Sequence, residues 1–177
     1  MNLRNVNISQ IISCAYQPTV GDNLVNIYNN IMQRKIITLL IYWTWCLPQT
    51  ILGAILFLLV KISDGKAHQH FYNQFTILTE SKYIFGGISL GMFIFTGSIN
   101  VSDQKREYFF RHEMGHVRQS LFLGPLYLIL IGVPSIIWSC LKKLGFFSNV
   151  PYGWFYTERW ANFLGKTPDE WTSYRRS

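Results

Sequence analysis

The feature that most constrains this chain is a long apolar run, IITLLIYWTWCLPQTILGAILFLLV, which occupies residues 36–60 and contains no charged residue. A helix of about 20 apolar residues is long enough to cross the hydrocarbon core of a bilayer. Pro48 and Gln49 interrupt the middle of the run, and a proline inside a membrane helix is tolerated where neighbouring groups satisfy the carbonyl that it frees. We therefore expect residues 36–60 to form one kinked transmembrane helix.

The composition of the whole chain also favours a membrane protein. Hydrophobic residues make up 49% of the 177 residues and charged residues only 14%, whereas about 25% of a soluble protein is charged. The formal net charge is +7, and basic residues such as Lys35, Lys61 and Lys143 flank the apolar runs. This placement indicates a lipid bilayer with anionic headgroups as a partner. No basic stripe or nucleic-acid motif occurs in the sequence, so we expect no nucleic-acid partner.

The length of the chain predicts one membrane-associated domain over residues 1–177. Residues 1–35 are a polar N-terminal segment, with a short amphipathic helix expected near residues 24–32 on the membrane face. Between residues 66 and 97, β-branched and aromatic residues predict a hairpin of two or three short strands, the last of them near residues 88–96.

One long helix is predicted next, because Ser102 or Asp103 can cap its start and its pattern ends only at Gly124-Pro125. The apolar residues 121–141 overlap its end, and glycine and proline interrupt them twice. Irregular backbone at membrane depth must be shielded by protein. We therefore expect this segment to be a broken, re-entrant hairpin rather than a complete crossing.

A last helix is expected over residues 156–164, because Gly165 follows with Pro168 beyond it. The predicted fold class is thus an α+β membrane protein. It combines one kinked transmembrane helix, a short β-hairpin or sheet, a long central helix, a broken apolar hairpin and a C-terminal helix.

The central helix carries the string HEMGH, which contains His112, Glu113 and His116. Residues four apart lie on the same face of a helix, so both imidazoles can bind one ion. Two such imidazoles suit zinc, and the intervening glutamate can take a proton from water and pass it to a leaving amine. This is the chemistry of the H-E-x-x-H motif; the alternative is a surface helix that carries two histidines by chance.

The HEMGH helix, preceded by a strand, resembles the zincin metallopeptidases, and in particular their gluzincin branch. The pattern HExGHxxQS, followed by LGPxY and GxPS, is also similar to a block in small uncharacterised bacterial membrane proteins. The resemblance covers residues 86–162 and implies a zinc-dependent peptidase, with residues 66–177 as its catalytic part, in a bacterial inner membrane.

The resemblance to gluzincins implies a third zinc ligand, a glutamate on a later helix. Glu158 fits this role, because it lies in a helical pattern with the small Ala161 one turn further on. No histidine follows His116, so the third histidine of the metzincins is missing. The alternative is an ordinary helix carboxylate paired with Arg159 or Lys166.

Supporting residues follow from spacing. Asn162 and Ser120 come four residues after Glu158 and His116, so each is expected to orient the ligand one turn before it. The hydroxyl of Tyr156, or that of Tyr152, is a candidate to stabilise an oxyanion in the reaction.

His68 and His70, in the string AHQH, could face the same way on a strand and bind a metal ion. Because the sequence places no third ligand beside them, a solvated turn is the alternative interpretation.

The expected function is hydrolysis of peptide bonds in a membrane-proximal peptide or protein. Glu113 acts as general base, Tyr156 assists, and His112, His116 and Glu158 bind Zn²⁺. The strand near residues 91–96 is expected to pair with an extended substrate. The alternative is a non-catalytic membrane protein, a scaffold or a subunit bound to a partner membrane protein, which keeps a structural or vestigial metal site.

Overall fold

A computed structural model describes residues 20–64, 68–72, 76–84, 86–97 and 102–168. The chain divides into two compact units, Met1–Ile37 and Thr38–Ser177. In the first unit the described backbone, from residue 20 onward, is helical, so helix α1 begins before the amphipathic segment that we expected and continues beyond it. The polar residues that precede it lie outside the described part of the chain.

The apolar run forms two helices rather than one kinked helix. Helix α1 spans Val20–Trp43 and helix α2 spans Leu47–Ser63. Pro48 lies in the first turn of α2, where a missing N–H breaks no helical hydrogen bond, so the proline starts a helix instead of bending one. In the part of the chain that the structure describes, no single helix is long and apolar enough to cross a membrane. Ile27–Trp43 and Leu47–Ser63 meet both conditions as a pair, bent by 89° at the break.

Side chains at this break dock on the end of the central helix. Trp45 donates its indole N–H to the Leu121 carbonyl at 3.1 Å. The buried amide of Gln49 donates to the Ser120 hydroxyl at 3.0 Å and to the Gly124 carbonyl at 2.9 Å. These hydrogen bonds fix the start of α2 against the catalytic part that the sequence predicted.

The described strands form a four-stranded mixed sheet in the order β1-β2-β4-β3. The strands are β1 (His68–Tyr72), β2 (Thr76–Ser81), β3 (Gly87–Leu90) and β4 (Phe93–Gly97). β2 pairs with β1 in antiparallel and with β4 in parallel orientation, and β3 pairs with β4 in antiparallel orientation.

The strand expected near residues 88–96 is in fact the hairpin β3–β4. Gly91, in its turn, adopts φ +60, a conformation that residues with a side chain rarely take. A Cβ there would also overlap Thr50 of α2. All five residues of β4 are buried. The strand lies between β2 and β3 in the sheet and packs against helix α2.

The long central helix, α3, spans Asp103–Leu123 and follows Ser102, as predicted. Gly124 ends it with φ +53 and begins a 3₁₀ turn, Gly124–Leu126. At the second expected interruption the chain does not reverse direction. A π-helical stretch, Leu128–Gly132, leads directly into helix α4, Val133–Lys143. The apolar segment therefore turns once, and its placement in a membrane stays a prediction.

Helix α5, Tyr156–Gly165, returns the chain to α3. The two helices approach closely because two glycines face backbone: a Cβ at Gly115 would overlap the carbonyl of Ala161, and one at Gly165 would overlap the carbonyl of Arg111. Arg118 of α3 also donates to the Leu164 carbonyl. The predicted C-terminal helix is confirmed, and small residues set its distance from α3.

Replacing Gly115 by alanine is expected to destabilise the protein by about 1–3 kcal/mol, because the overlapping atom belongs to rigid backbone. Thermal unfolding in detergent micelles measures the change. Gly132→Ala is the matched control: its added Cβ would lie 3.6 Å from the nearest atom, so it should leave stability unchanged or raise it by up to about 1 kcal/mol. Equal stability of both variants would contradict the close packing of α3 and α5.

Candidate metal centre

Three side chains converge between α3 and α5. The Nε2 atoms of His112 and His116 lie 3.1 Å and 3.7 Å from one oxygen of Glu158, Oε2. All three residues are buried, with relative exposures of 2%, 7% and 1%, and their candidate ligand atoms lie within 4.8 Å of one another. The carboxylate faces the imidazoles rather than Arg159 or Lys166, so the pairing considered as an alternative is excluded.

The geometry of these atoms fits one small metal ion. Metal–nitrogen and metal–oxygen bonds of about 2.0–2.2 Å in a tetrahedral site place the ligand atoms about 3.3 Å apart, close to the two observed separations. Two imidazoles and one carboxylate also leave a fourth position for an exchangeable ligand, as in catalytic rather than structural sites. The donor set and the spacing thus suit a single metal ion with one open coordination position.

Each imidazole is oriented by an amide oxygen behind it. Nδ1 of His112 lies 2.7 Å from Oδ1 of Asn162, and Nδ1 of His116 lies 2.7 Å from Oε1 of Gln119. The amide nitrogen of Gln119 donates to the Thr157 carbonyl at 2.8 Å, which fixes its oxygen toward the ring. Because an amide oxygen only accepts, each ring donates from Nδ1, and with a metal ion bound it would present the lone pair of Nε2 to that ion.

The orienting residues differ from those expected from spacing. Asn162 contacts His112 across the helix interface instead of supporting Glu158, four residues before it in its own helix. Ser120 accepts a hydrogen bond from Gln49, and Gln119 takes the expected place beside His116. The contacts of Asn162 and Ser120 depend on the packing of neighbouring elements, so spacing along one helix missed them. Gln119 lies three residues after His116 on the same helix, a spacing that could have indicated it.

Glu158 is itself oriented by hydroxyl groups. Ser135, at the start of α4, donates to Oε1, and the Thr157 hydroxyl lies 3.3 Å from the same oxygen. Oε2 is left facing the two imidazoles. Sequence reasoning did not assign Ser135 a role, although the residue stands in the GxPS string, because no spacing relates α4 to the ligands.

The buried ligands are electrostatically coupled. Burial alone would raise the pKa of Glu158, but hydrogen bonds and charge from His112 and His116 outweigh burial and hold its pKa well below the usual range. Burial alone would lower the pKa of His116, but the hydrogen bond and charge of Glu158 raise it. The pair thus favours a positive charge between the two helices, which a metal cation also provides.

Glu113 faces the same site from the side of the sheet. Its Oε2 accepts a hydrogen bond of 2.7 Å from the hydroxyl of Ser89 in β3, and a Cβ at Gly87 would overlap its other oxygen. Glu113 is buried and lines, together with the three ligands, a cavity of about 410 Å³. The glutamate of HEMGH is therefore beside the metal position but does not belong to the ligand set.

Tyr156 does not reach this cavity. Its side chain is 53% exposed, and its hydroxyl donates to the Leu130 carbonyl at 2.6 Å. This hydrogen bond ties the start of α5 to the π-helical stretch that precedes α4. Tyr152, the other tyrosine considered, does line the cavity.

Two further expectations concern the sheet. The strand expected to bind substrate, near residues 91–96, is mainly β4, which lies between β2 and β3 and has no open edge. Among the described strands, β3 is the edge nearest the site. His68 and His70 lie on β1, and their side chains fall outside the described part of the structure.

Loss of an orienting amide is expected to weaken metal binding. Asn162→Ala and Gln119→Ala should each lower the affinity for Zn²⁺ by about 10–100-fold. In each variant one imidazole, that of His112 or of His116, loses the amide that fixes its orientation. Competition titration with a chromogenic chelator measures the affinity, and circular dichroism verifies the fold. Gln104→Ala is the matched control, because Gln104 is exposed and hydrogen-bonds to Tyr108 on the same helix; an equal effect of all three changes would contradict the assignment.

Comparisons of this chain with protein-family models, with curated proteins and with solved structures find no match. The zincin resemblance consequently rests on the HEMGH string and on the geometry of the site. A buried group of two histidines and one glutamate that can bind a metal ion is the property that this geometry establishes.

Proposed function

We propose that this chain is a membrane-bound, zinc-dependent metallopeptidase that cleaves a membrane-proximal peptide or protein segment. The observation that carries the proposal is the convergence of His112, His116 and Glu158 on one point, in a cavity that the carboxylate of Glu113 also lines. This is the ligand set and the general base of a peptide-hydrolysing zinc site.

When bound, zinc supplies Lewis acidity, which polarises a carbonyl and makes water nucleophilic near neutral pH. The carboxylate of Glu113 accepts a proton from the attacking water and later delivers it to the departing amine nitrogen. Ser89 holds this carboxylate by a hydrogen bond to Oε2, and glycine at position 87 leaves room for Oε1. The base is thereby fixed before substrate arrives.

Strand β3 supports binding of an extended substrate. It lies at the edge of the described sheet, and edge strands can pair with an added peptide strand. Gly87, its first residue, and Gly86 line the cavity that contains Glu113. A peptide beside β3 would therefore lead its backbone past the general base.

Exposed apolar surface supports the membrane location. In α2, Leu58 and Leu59 are each 56% exposed, and the helix belongs to the bent pair with the length and composition of a membrane span. Ile129 in the π-helical stretch and Ile136 in α4 are more exposed still. Such surface is costly in water, so we infer that lipid covers it and that substrate reaches the site from the bilayer boundary.

The alternative, a structural metal site in a scaffold or assembly subunit, agrees less well with the site. A structural zinc site is closed by four protein ligands, whereas three candidate ligands beside a cavity occur among the residues that the structure describes. A structural site also has no use for the buried carboxylate of Glu113.

Glu113→Gln should lower the rate of peptide cleavage by about 10²–10⁴-fold or more, because an amide cannot accept the proton from water. Zinc content should remain one ion per chain, because Glu113 is not a ligand. Both quantities are measured on protein purified in detergent, with elemental analysis for zinc and mass spectrometry of a peptide mixture for cleavage.

Glu107→Gln is the matched control for this prediction. Glu107 lies on the same helix, exposed and paired with Arg111 at 2.8 Å, so its loss should leave cleavage unchanged. Undiminished cleavage by the Glu113 variant would exclude the proposed mechanism, and zinc binding without any cleavage by the wild type would favour the structural role.

A further inference from the structure

We propose that Lys143 binds a carboxylate of the substrate, at the end of the cavity away from the zinc ligands, so that the enzyme prefers peptides with an acidic group within about three residues of the scissile bond. This inference rests on the proposed metallopeptidase function and adds a substrate class to it.

The polar residues of α4 form a stripe that runs along the cavity. Ser135, Ser139 and Lys143 are spaced by four residues, which places them on one face of the helix, and all three line the cavity. Ser135 donates to Glu158, so the stripe begins at the metal centre. Lys143 is exposed at its far end, in the last turn of α4.

The length of the stripe defines where an anionic group can lie. Eight residues separate Ser135 from Lys143, which corresponds to about 12 Å along the axis of a helix. Side chains of a helix lean toward its N-terminus, so the ammonium group of Lys143 lies nearer to the metal centre than its backbone. Because an extended peptide advances about 3.4 Å per residue, the bound carboxylate belongs to one of the three residues next to the scissile bond.

The charges around the cavity leave Lys143 available. Lys142, its neighbour, donates to the carbonyls of Phe147 and Val150 at 2.8 Å and 2.6 Å and holds the chain after α4. The two carboxylates of the cavity are engaged elsewhere, Glu113 with Ser89 and Glu158 with the imidazoles. Among the residues that the structure describes, no acceptor contacts Lys143. A substrate carboxylate would supply that acceptor, and a charge-assisted hydrogen bond is stronger than a neutral one.

Peptide binding to the zinc-loaded Glu113→Gln protein tests the inference without requiring turnover. Four peptides derive from one neutral parent sequence. The first ends in a free carboxylate and the second in an amide. The third and fourth also end in an amide, and one residue is replaced by glutamate in the third and by lysine in the fourth. Fluorescence anisotropy in detergent should show about tenfold tighter binding of the two acidic peptides than of the neutral amide. The free-carboxylate and glutamate arms distinguish a chain end from an acidic side chain.

Charge reversal at Lys143 gives the decisive comparison. Adding Lys143→Glu should remove the preference for both acidic peptides and favour the lysine peptide, whereas Lys143→Arg should keep the original order. Lys105→Glu, an exposed change on α3 away from the cavity, is the matched control and should alter nothing. Retained zinc in each variant shows that the site is folded.

The inference is overturned if Lys143→Glu leaves the peptide preference unchanged, or if no acidic peptide binds more tightly than the neutral one. Binding of each variant to phosphatidylglycerol vesicles is measured in parallel. The inference is also overturned if Lys143→Glu weakens only this vesicle binding. The last result would assign Lys143 to lipid headgroups. Wild-type cleavage without a charge preference would refute this inference alone. A Lys143-dependent preference for acidic peptides without wild-type cleavage would instead refute the peptidase function and retain the anion site.

Discussion

The close contact between α3 and α5 is the constraint on which the metal centre depends. Gly115 admits the backbone of Ala161, and Gly165 admits that of Arg111. At this separation, a carboxylate from one helix reaches two imidazoles on the other and a buried three-residue group results. A side chain at either glycine would overlap the backbone of the facing helix and force the two helices apart.

A second layer of polar contacts makes the same arrangement rigid. Gln119 links the imidazole of His116 to the backbone of α5, and Ser135 links α4 to Glu158. Tyr127 donates to the carbonyl of Ser89 at 3.0 Å, behind the residue that holds Glu113. The strings QS, GPxY and GxPS around HEMGH thus gain a physical meaning, because they contribute residues that position the ligands or the base.

Part of this arrangement follows from the sequence, and part requires packing. The period of an α-helix predicted that the two histidines share one face, and the resemblance to gluzincins, together with a small residue one turn later, indicated Glu158. The roles of Asn162 and Ser135 could not be predicted, because each contact crosses from one helix to another. Gln119 lies three residues after His116 on the same helix, so helical spacing alone could have indicated it. Tyr156 was assigned to the reaction by proximity in sequence alone, whereas its hydroxyl donates to the Leu130 carbonyl. The apolar run forms two helices because the break precedes Pro48, which lies in the first turn of α2. The sequence shows the proline but not the position of the break.

X-ray absorption spectroscopy of the zinc-loaded protein tests the central claim most directly, because it reports the atoms bound to the ion. The account predicts four light ligands at about 2.0–2.2 Å, with the outer-shell scattering of two imidazoles. The described cysteines, Cys46 and Cys140, are free thiols and would appear as sulfur at about 2.3 Å if they bound the metal. Sulfur scattering, or a single imidazole, would contradict a centre formed by His112, His116 and Glu158.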